Sequence, residues 1–196
     1  MASGQTGSVP TEPLGKALNL AGDEIDLLGA LFTDYAAAAG VDGRAVFERL
    51  RAGKSLGDAL ALPKGTVEVL YDRAHRWYKA GRSDKAEPLF RTLCLIAGSE
   101  PPYWIGYAVC LRQRGDLAQA RMAIETALKL RPDWAVSHFH AVELFAEIGD
   151  WGRVASELAL FDQHRSDDLP PIMLQEAHRY RVAVEMRGQG ARGGSQ

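Results

Sequence analysis

At 196 residues, 46% of them hydrophobic, the chain is long enough to bury a core of its own. A formal net charge of −2 excludes the bulk basicity of a nucleic-acid binder, and no apolar run approaches the ~18 residues that span a bilayer. The two cysteines, Cys94 and Cys110, lie in apolar helical patterns without a CxxC and read as buried, reduced thiols.

Residues 1–15 are rich in Gly, Ser, Thr and Pro and are expected to be disordered. They also lack the basic segment and long apolar core of a secretory signal. Residues 16–65 read as an N-terminal helical region and a candidate dimerisation element. One helix spans Asp23 to Ala39, with Ile25, Leu28, Leu31, Phe32 and Tyr35 on its apolar side. Gly40 to Gly43 breaks it. A short helix from Arg44 to Arg51 turns Val46, Phe47 and Leu50 inward, Gly53 stops it, and Ser55 caps a further turn.

Residues 66–165 repeat with a period of 34 residues and no insertion. Seven columns align across three copies. They are Leu70, Trp104 and His138; Ala74, Ala108 and Val142; Trp77, Leu111 and Phe145; Gly81, Gly115 and Gly149; Ala86, Ala120 and Val154; Phe90, Ile124 and Leu158; and Leu93, Ala127 and Phe161. That period and those residue types are the tetratricopeptide signature. The fold class expected is all-α, a solenoid of three helix pairs with N-terminal helices and a C-terminal capping helix. The pairs fall at 66–80 and 83–97, 101–114 and 117–130, and 135–148 and 151–164. The three glycines end the first helix of each pair. Ser83 or Asp84, Asp116 and Asp150 supply caps or charge to the second. Pro88 is a misfit early in its helix. The last helix, 170–187, carries a stripe of Met173, Ala177, Tyr180 and Val184 and seals the stack. A disordered tail is expected over 188–196.

Packing accounts for Leu70, Ala74 and Trp77 but not for the residues one position on, about 100° further round the helix. These are Tyr71, His75 and Tyr78, then Ile105, Val109 and Arg112, then Phe139, Glu143 and Ala146. An aromatic and aliphatic stripe on the hollow side of such a stack reads as a groove for an apolar peptide. The competing structural reading is that a terminal helix covers it.

Other chemistry is not indicated. His138 and His140 point about 200° apart on one helix, and His140 with Glu143 supplies only two ligands, so no metal is expected. There is no Ser–His–Asp arrangement, P-loop or strand-linked GxGxxG, so neither an enzyme nor a cofactor is expected.

The stretches Tyr71–Gly81, FRTLCLIAG from Phe90, YWIGYAVC from Tyr103 and HAVELFAEIG from His140 resemble the class II type III secretion chaperones, the LcrH/SycD group. So does LRAGKSLGDALALPKGTVEVLY from Leu50, and the resemblance covers roughly residues 44–165. It implies a cytoplasmic three-repeat chaperone that holds hydrophobic translocator proteins soluble and secretion-competent. The client would lie as a short extended segment in the concave groove, with no direct nucleic-acid contact and no membrane insertion. It further implies homodimers through the N-terminal helices and, in some members, help to a transcription activator. By carry-over the groove is lined by Tyr71, His75, Tyr78, Ile105, Val109, Arg112 and Phe139. The family commonly has an aromatic where His75 stands. The rival readings are a generic tetratricopeptide adaptor, including one that grips a terminal carboxylate, a secretion regulator or co-activator, and a structural assembly subunit.

Overall fold

Small residues recurring every 34 positions let helix backbones approach closely, and the folded chain uses them so. The structure, a computed structural model, describes residues 13–193. Eleven helices and no strand occur among the described residues. The chain divides into two compact units at Val67–Glu68.

The first unit holds α1 (Pro13–Leu18), α2 (Gly22–Ala38), α3 (Gly43–Arg51) and α4 (Leu56–Ala59). Asp42 caps α3 by accepting from the Ala45 amide at 3.0 Å, and Ser55 caps α4 by accepting from the Asp58 amide at 3.1 Å. Ile25, Val46, Phe47 and Ala59 are buried. The α2–α3 contact is close because Gly29 lies against the Phe47 ring, where a Cβ would come within 2.6 Å. Residues 13–15, expected within a disordered leader, instead open α1. Pro13 stands first in that helix, where a missing N–H costs least, and Gly15 is buried. The rest of that expectation, residues 1–12, lies outside the described residues.

The second unit holds the three pairs. They are α5 (Thr66–Lys79) with α6 (Ser83–Ile96), α7 (Pro101–Gln113) with α8 (Leu117–Leu130), and α9 (Ala135–Ile148) with α10 (Trp151–His164). The last helix, α11 (Pro171–Gly193), follows. The small columns are fully buried: Ala74, Ala108 and Val142 on the first helices, Ala86, Ala120 and Val154 on the second. Phe90, Ile124 and Leu158, then Leu93, Ala127 and Phe161, complete the interior. Each large side chain so buried stabilises by about 1.5–3 kcal/mol. Gly81, Gly115 and Gly149 adopt φ of +72°, +82° and +87°, a region that glycine enters without a Cβ clash.

Asp116 and Asp150 cap α8 and α10 by accepting from the Gln119 and Arg153 amides. The first pair departs from this. Its corresponding position is Arg82, which makes no side-chain cap. Ser83 donates to Gln113 instead, and Asp84 takes the Arg82 guanidinium. Pro88 sits inside an unbroken α6. Helix α11 packs on α9 and α10, with Ala177 buried and Met173, Leu174, Tyr180 and Val184 against the core. It continues to Gly193, past the expected end at 187, which corrects the expected disordered tail over residues 188–193. Gly188 does not turn left-handed, so nothing stops a helix that adds one bond per residue. Residues 194–196 lie outside the described residues.

Cys94 and Cys110 are free and buried, and burial pushes their thiols up to about 12 and about 11. One polar pair is built into this core. His138 is 3% and Glu157 5% exposed. His138 Nδ1 lies 2.7 Å from Glu157 Oε2, and Nε2 lies 2.8 Å from the Pro132 carbonyl. A carboxylate and a carbonyl only accept, so both ring nitrogens donate and the ring is an imidazolium. Burial opposes that charge, but the bonds to Glu157 and Pro132 outweigh it and raise the His138 pKa. Burial likewise opposes the Glu157 charge, yet the bonds from His138 and Arg153 lower its pKa.

The linkage runs in two directions. The His138 contribution is complete below its unfolded value of 6.5 and is lost as pH rises through the raised folded value. The Glu157 contribution is complete above 4.5 and is lost as pH falls through the lowered folded value. Urea unfolding should therefore show a stability plateau between these values. His138→Ala should cost about 1–3 kcal/mol there, by leaving one Glu157 oxygen buried without its partner while Arg153 keeps the other. His138→Gln should flatten the decline above neutrality, and an unchanged alkaline limb would reject the charged pair.

Candidate functional site

The apolar stripe on α5 converges with α6, α7 and α9 on a cavity of about 280 Å³. It is lined by Tyr71, His75 and Tyr78 from α5, Phe90 from α6, Pro102, Ile105, Gly106 and Val109 from α7, Trp134 just before α9, and Val136 and His140 within it. No described side chain of α11 lines it. No Lys or Arg lines it either.

The aromatic wall is organised ring on ring. Tyr71 stacks on His75 with centroids 5.9 Å apart and planes 10° apart. Its ring also meets Phe90 edge-on at 6.2 Å and Tyr103 at 5.3 Å. Such pairs contribute about 0.5–1.5 kcal/mol beyond area burial and hold the wall in one geometry. Burial raises the phenol pKa of Tyr71 and of Tyr78, with smaller contributions from nearby carboxylates, so both stay neutral.

Gly106 makes the floor possible. A Cβ there would lie 2.3–2.6 Å from Phe90 ring atoms. Glycine inside a helix costs about 0.5–1 kcal/mol against alanine, and here that cost lets the Phe90 ring lie against the α7 backbone.

Five of the seven residues expected in the groove line the cavity: Tyr71, His75, Tyr78, Ile105 and Val109. The other two are placed differently. Phe139 is buried, with its ring 6.0 Å from Phe161 and 5.5 Å from His140. Arg112 holds the Glu143 carboxylate with two guanidinium nitrogens, at 3.0 and 3.1 Å, and its Nε lies 3.7 Å from Glu147. Its charge is therefore engaged with carboxylates of the chain itself. The α5 stripe translated by 34 residues lands on Phe139, Glu143 and Ala146, whereas the cavity meets α9 at Val136 and His140. Extending the stripe one turn towards each helix start, to Pro102 and Val136, reaches the missed positions. Phe90 and Gly106 were missed because they belong to packing, and Trp134 because it precedes the helix.

Glu143 is the electrostatic centre beside the cavity. His140 Nδ1 donates to its Oε2 at 2.8 Å, and Arg112 holds both oxygens. Burial opposes the Glu143 charge, but these bonds and charges overcome it and pull the carboxyl down to about 2. Among the described residues no three His, Cys, Asp or Glu side chains are grouped as a metal ion would need.

Gly106→Ala tests the floor. Helix propensity alone would make it stabilising by about 1 kcal/mol. Overpacking against Phe90 should instead destabilise by about 1–3 kcal/mol in urea unfolding. A stabilised variant would show that Phe90 is free to move aside.

No family model matches the chain. Its sequence is 35% identical over 66 residues to chaperone protein SicA of Salmonella typhimurium, a match that covers 33% of this chain and 40% of SicA. Its fold is similar to that of the type III secretion chaperone SycD of Yersinia enterocolitica, solved with a peptide of the translocator YopD. The TM-score is 0.58, with 20% identity, over 65% of this chain and 98% of SycD. SycD is also known as an alternative dimer, with TM-score 0.58 and 21% identity over 65% of this chain and 97% of SycD. PcrH of Pseudomonas aeruginosa, solved with the chaperone-binding region of PopD, gives a TM-score of 0.55 at 24% identity, over 64% of this chain and 92% of PcrH. At these identities the structural likeness is one of fold. The chain thus shares the helix-pair architecture of the type III secretion translocator chaperones, and part of its sequence is similar to a chaperone of Salmonella.

Proposed function

We propose that this chain is a cytoplasmic chaperone of type III secretion, and not an enzyme. It binds an extended apolar segment of hydrophobic translocator proteins and keeps them soluble and secretion-competent. The observation that carries this reading is the aromatic and aliphatic cavity between the first helices of the pairs, which no described side chain of α11 lines. Proteins with this fold hold a YopD peptide and the chaperone-binding region of PopD. Among the described residues no helix is long and apolar enough to cross a membrane. The carboxylate-gripping alternative is disfavoured, because Arg112 is engaged by Glu143 and Glu147 and no Lys or Arg lines the cavity.

The energetics suit a holding function. A cavity of about 280 Å³, near the lower end of the ~300–1,000 Å³ of ordinary ligand pockets, has room for a few apolar side chains of an extended segment. Each large apolar anchor contributes about 1.5–3 kcal/mol. Two or three of them, less the cost of ordering the segment, give a moderate affinity that an export machine can overcome. Co-expression with a hydrophobic translocator should yield a soluble complex. Tyr71→Ala with Tyr78→Ala should leave the chaperone folded by circular dichroism and send the client into the pellet. A folded double variant that still solubilises the client would end the groove reading.

The same proposal includes a homodimer through the N-terminal helices. On α2, Leu27, Leu31 and Tyr35 follow one another at helical spacing and are 62%, 60% and 82% exposed. An apolar stripe this bare on a charged chain fits a second copy of itself. Light scattering on the full chain should report a dimer, and Leu31→Glu with Tyr35→Glu should convert it to monomer. A dimer that survives both changes places the contact elsewhere.

A further inference from the structure

The cavity is apolar except for a few groups, and one of these differs in kind. Tyr71, His75 and Tyr78 make no side-chain hydrogen bond among the described residues, and Tyr71 and His75 are held by ring packing. His140 is braced. Its Nδ1 is bonded to Glu143, and Glu143 is clamped by two nitrogens of Arg112, whose Nε turns to Glu147. This chain of charge runs from α7 to α9 and fixes the imidazole plane at the edge of the cavity.

The bracing also selects the tautomer. Glu143 is ionised and can only accept, so Nδ1 carries the ring proton. In the neutral ring Nε2 then presents a lone pair. That atom has no partner within the described residues. Nor is it sealed away, since the one buried side-chain polar atom without a partner among them is Ser137 Oγ. Beside aromatic and aliphatic walls, the neutral ring therefore presents a fixed acceptor that no described residue satisfies.

We propose that His140 Nε2 accepts a hydrogen bond from a main-chain N–H of the bound segment, and that this sets the register of an extended peptide in the groove. The inference rests on the groove reading and deepens it by naming a positional requirement. The residue presenting that N–H is not proline. In an extended strand successive side chains and main-chain groups alternate in direction, so fixing one N–H fixes which side chains enter the apolar cavity. Arg112 and Glu143 are positioning residues in this scheme, because they act through His140. An acceptor fixed before binding adds orientation at little further entropic cost.

The test uses the full chain and a probe that needs no known client. Random 12-residue peptides displayed on phage are selected on the wild-type protein, and apolar binders that fail to bind Tyr78→Ala are synthesised. Each main-chain amide is then replaced in turn by an ester, which removes one N–H, and affinities are measured by calorimetry. One position should weaken binding to the wild type by about three- to tenfold. The same ester should have no effect on His140→Ala, and His140→Gln, which keeps an acceptor oxygen, should recover part of the sensitivity. Ester effects that are equal in wild type and in His140→Ala overturn the role of His140 while the groove stands. Failure to select any peptide sensitive to Tyr78 overturns the groove reading itself, and this inference with it.

Discussion

The structure depends on how closely its helices approach, and that is set by side chains of one or three carbons at fixed places. Ala74, Ala108 and Val142 on the first helices, and Ala86, Ala120 and Val154 on the second, have no exposed surface at all. Where these meet there is no room for a larger side chain, so the bulk of each pair is carried by Phe90, Ile124, Leu158 and their neighbours. Because one face of α5 and of α7 is committed to this contact, the next face round can line a cavity, whereas on α9 that face packs, with Phe139 against Phe161. Gly106 extends the same logic inside α7, where the absence of a side chain admits the Phe90 ring.

Two histidines on α9 show how one helix serves core and site together. His138 turns inward, gives both ring protons to acceptors and joins α9 to α10 through Glu157. His140, two residues on, turns to the cavity and is held by Glu143. The ~200° between them separates a group that serves the core from one that faces the cavity. Both are anchored by carboxylates whose own pKa values are lowered by the cations they hold. The third pair is thus the electrostatically committed part of the stack, whereas the first, with its tyrosines, supplies the apolar wall.

Comparison with other proteins reaches the same architecture by a separate route. The likeness to SycD and PcrH is one of helix arrangement, since identity there is 20–24%. The sequence match to SicA is stronger but confined to 66 residues. The cavity adds what likeness of fold does not give, an aromatic and aliphatic lining drawn mainly from the first helices of the three pairs.

The sequence alone determined the helix pairs, their turns and their interior. A 34-residue period repeats local demands, a small residue at a crossing or a left-handed glycine at a helix end, and each demand is met within a few residues of where it is written. The α5 half of the cavity was legible for the same reason, since Tyr71, His75 and Tyr78 share one face of one helix. Tertiary structure alone decided the α9 half. The cavity meets α9 at Val136 and His140 and not at Phe139, and Arg112 pairs with Glu143. Ion pairing between α7 and α9 and the close approach of Phe90 to Gly106 are long-range contacts. Their partners are set by how whole helices pack, and no local spacing records that.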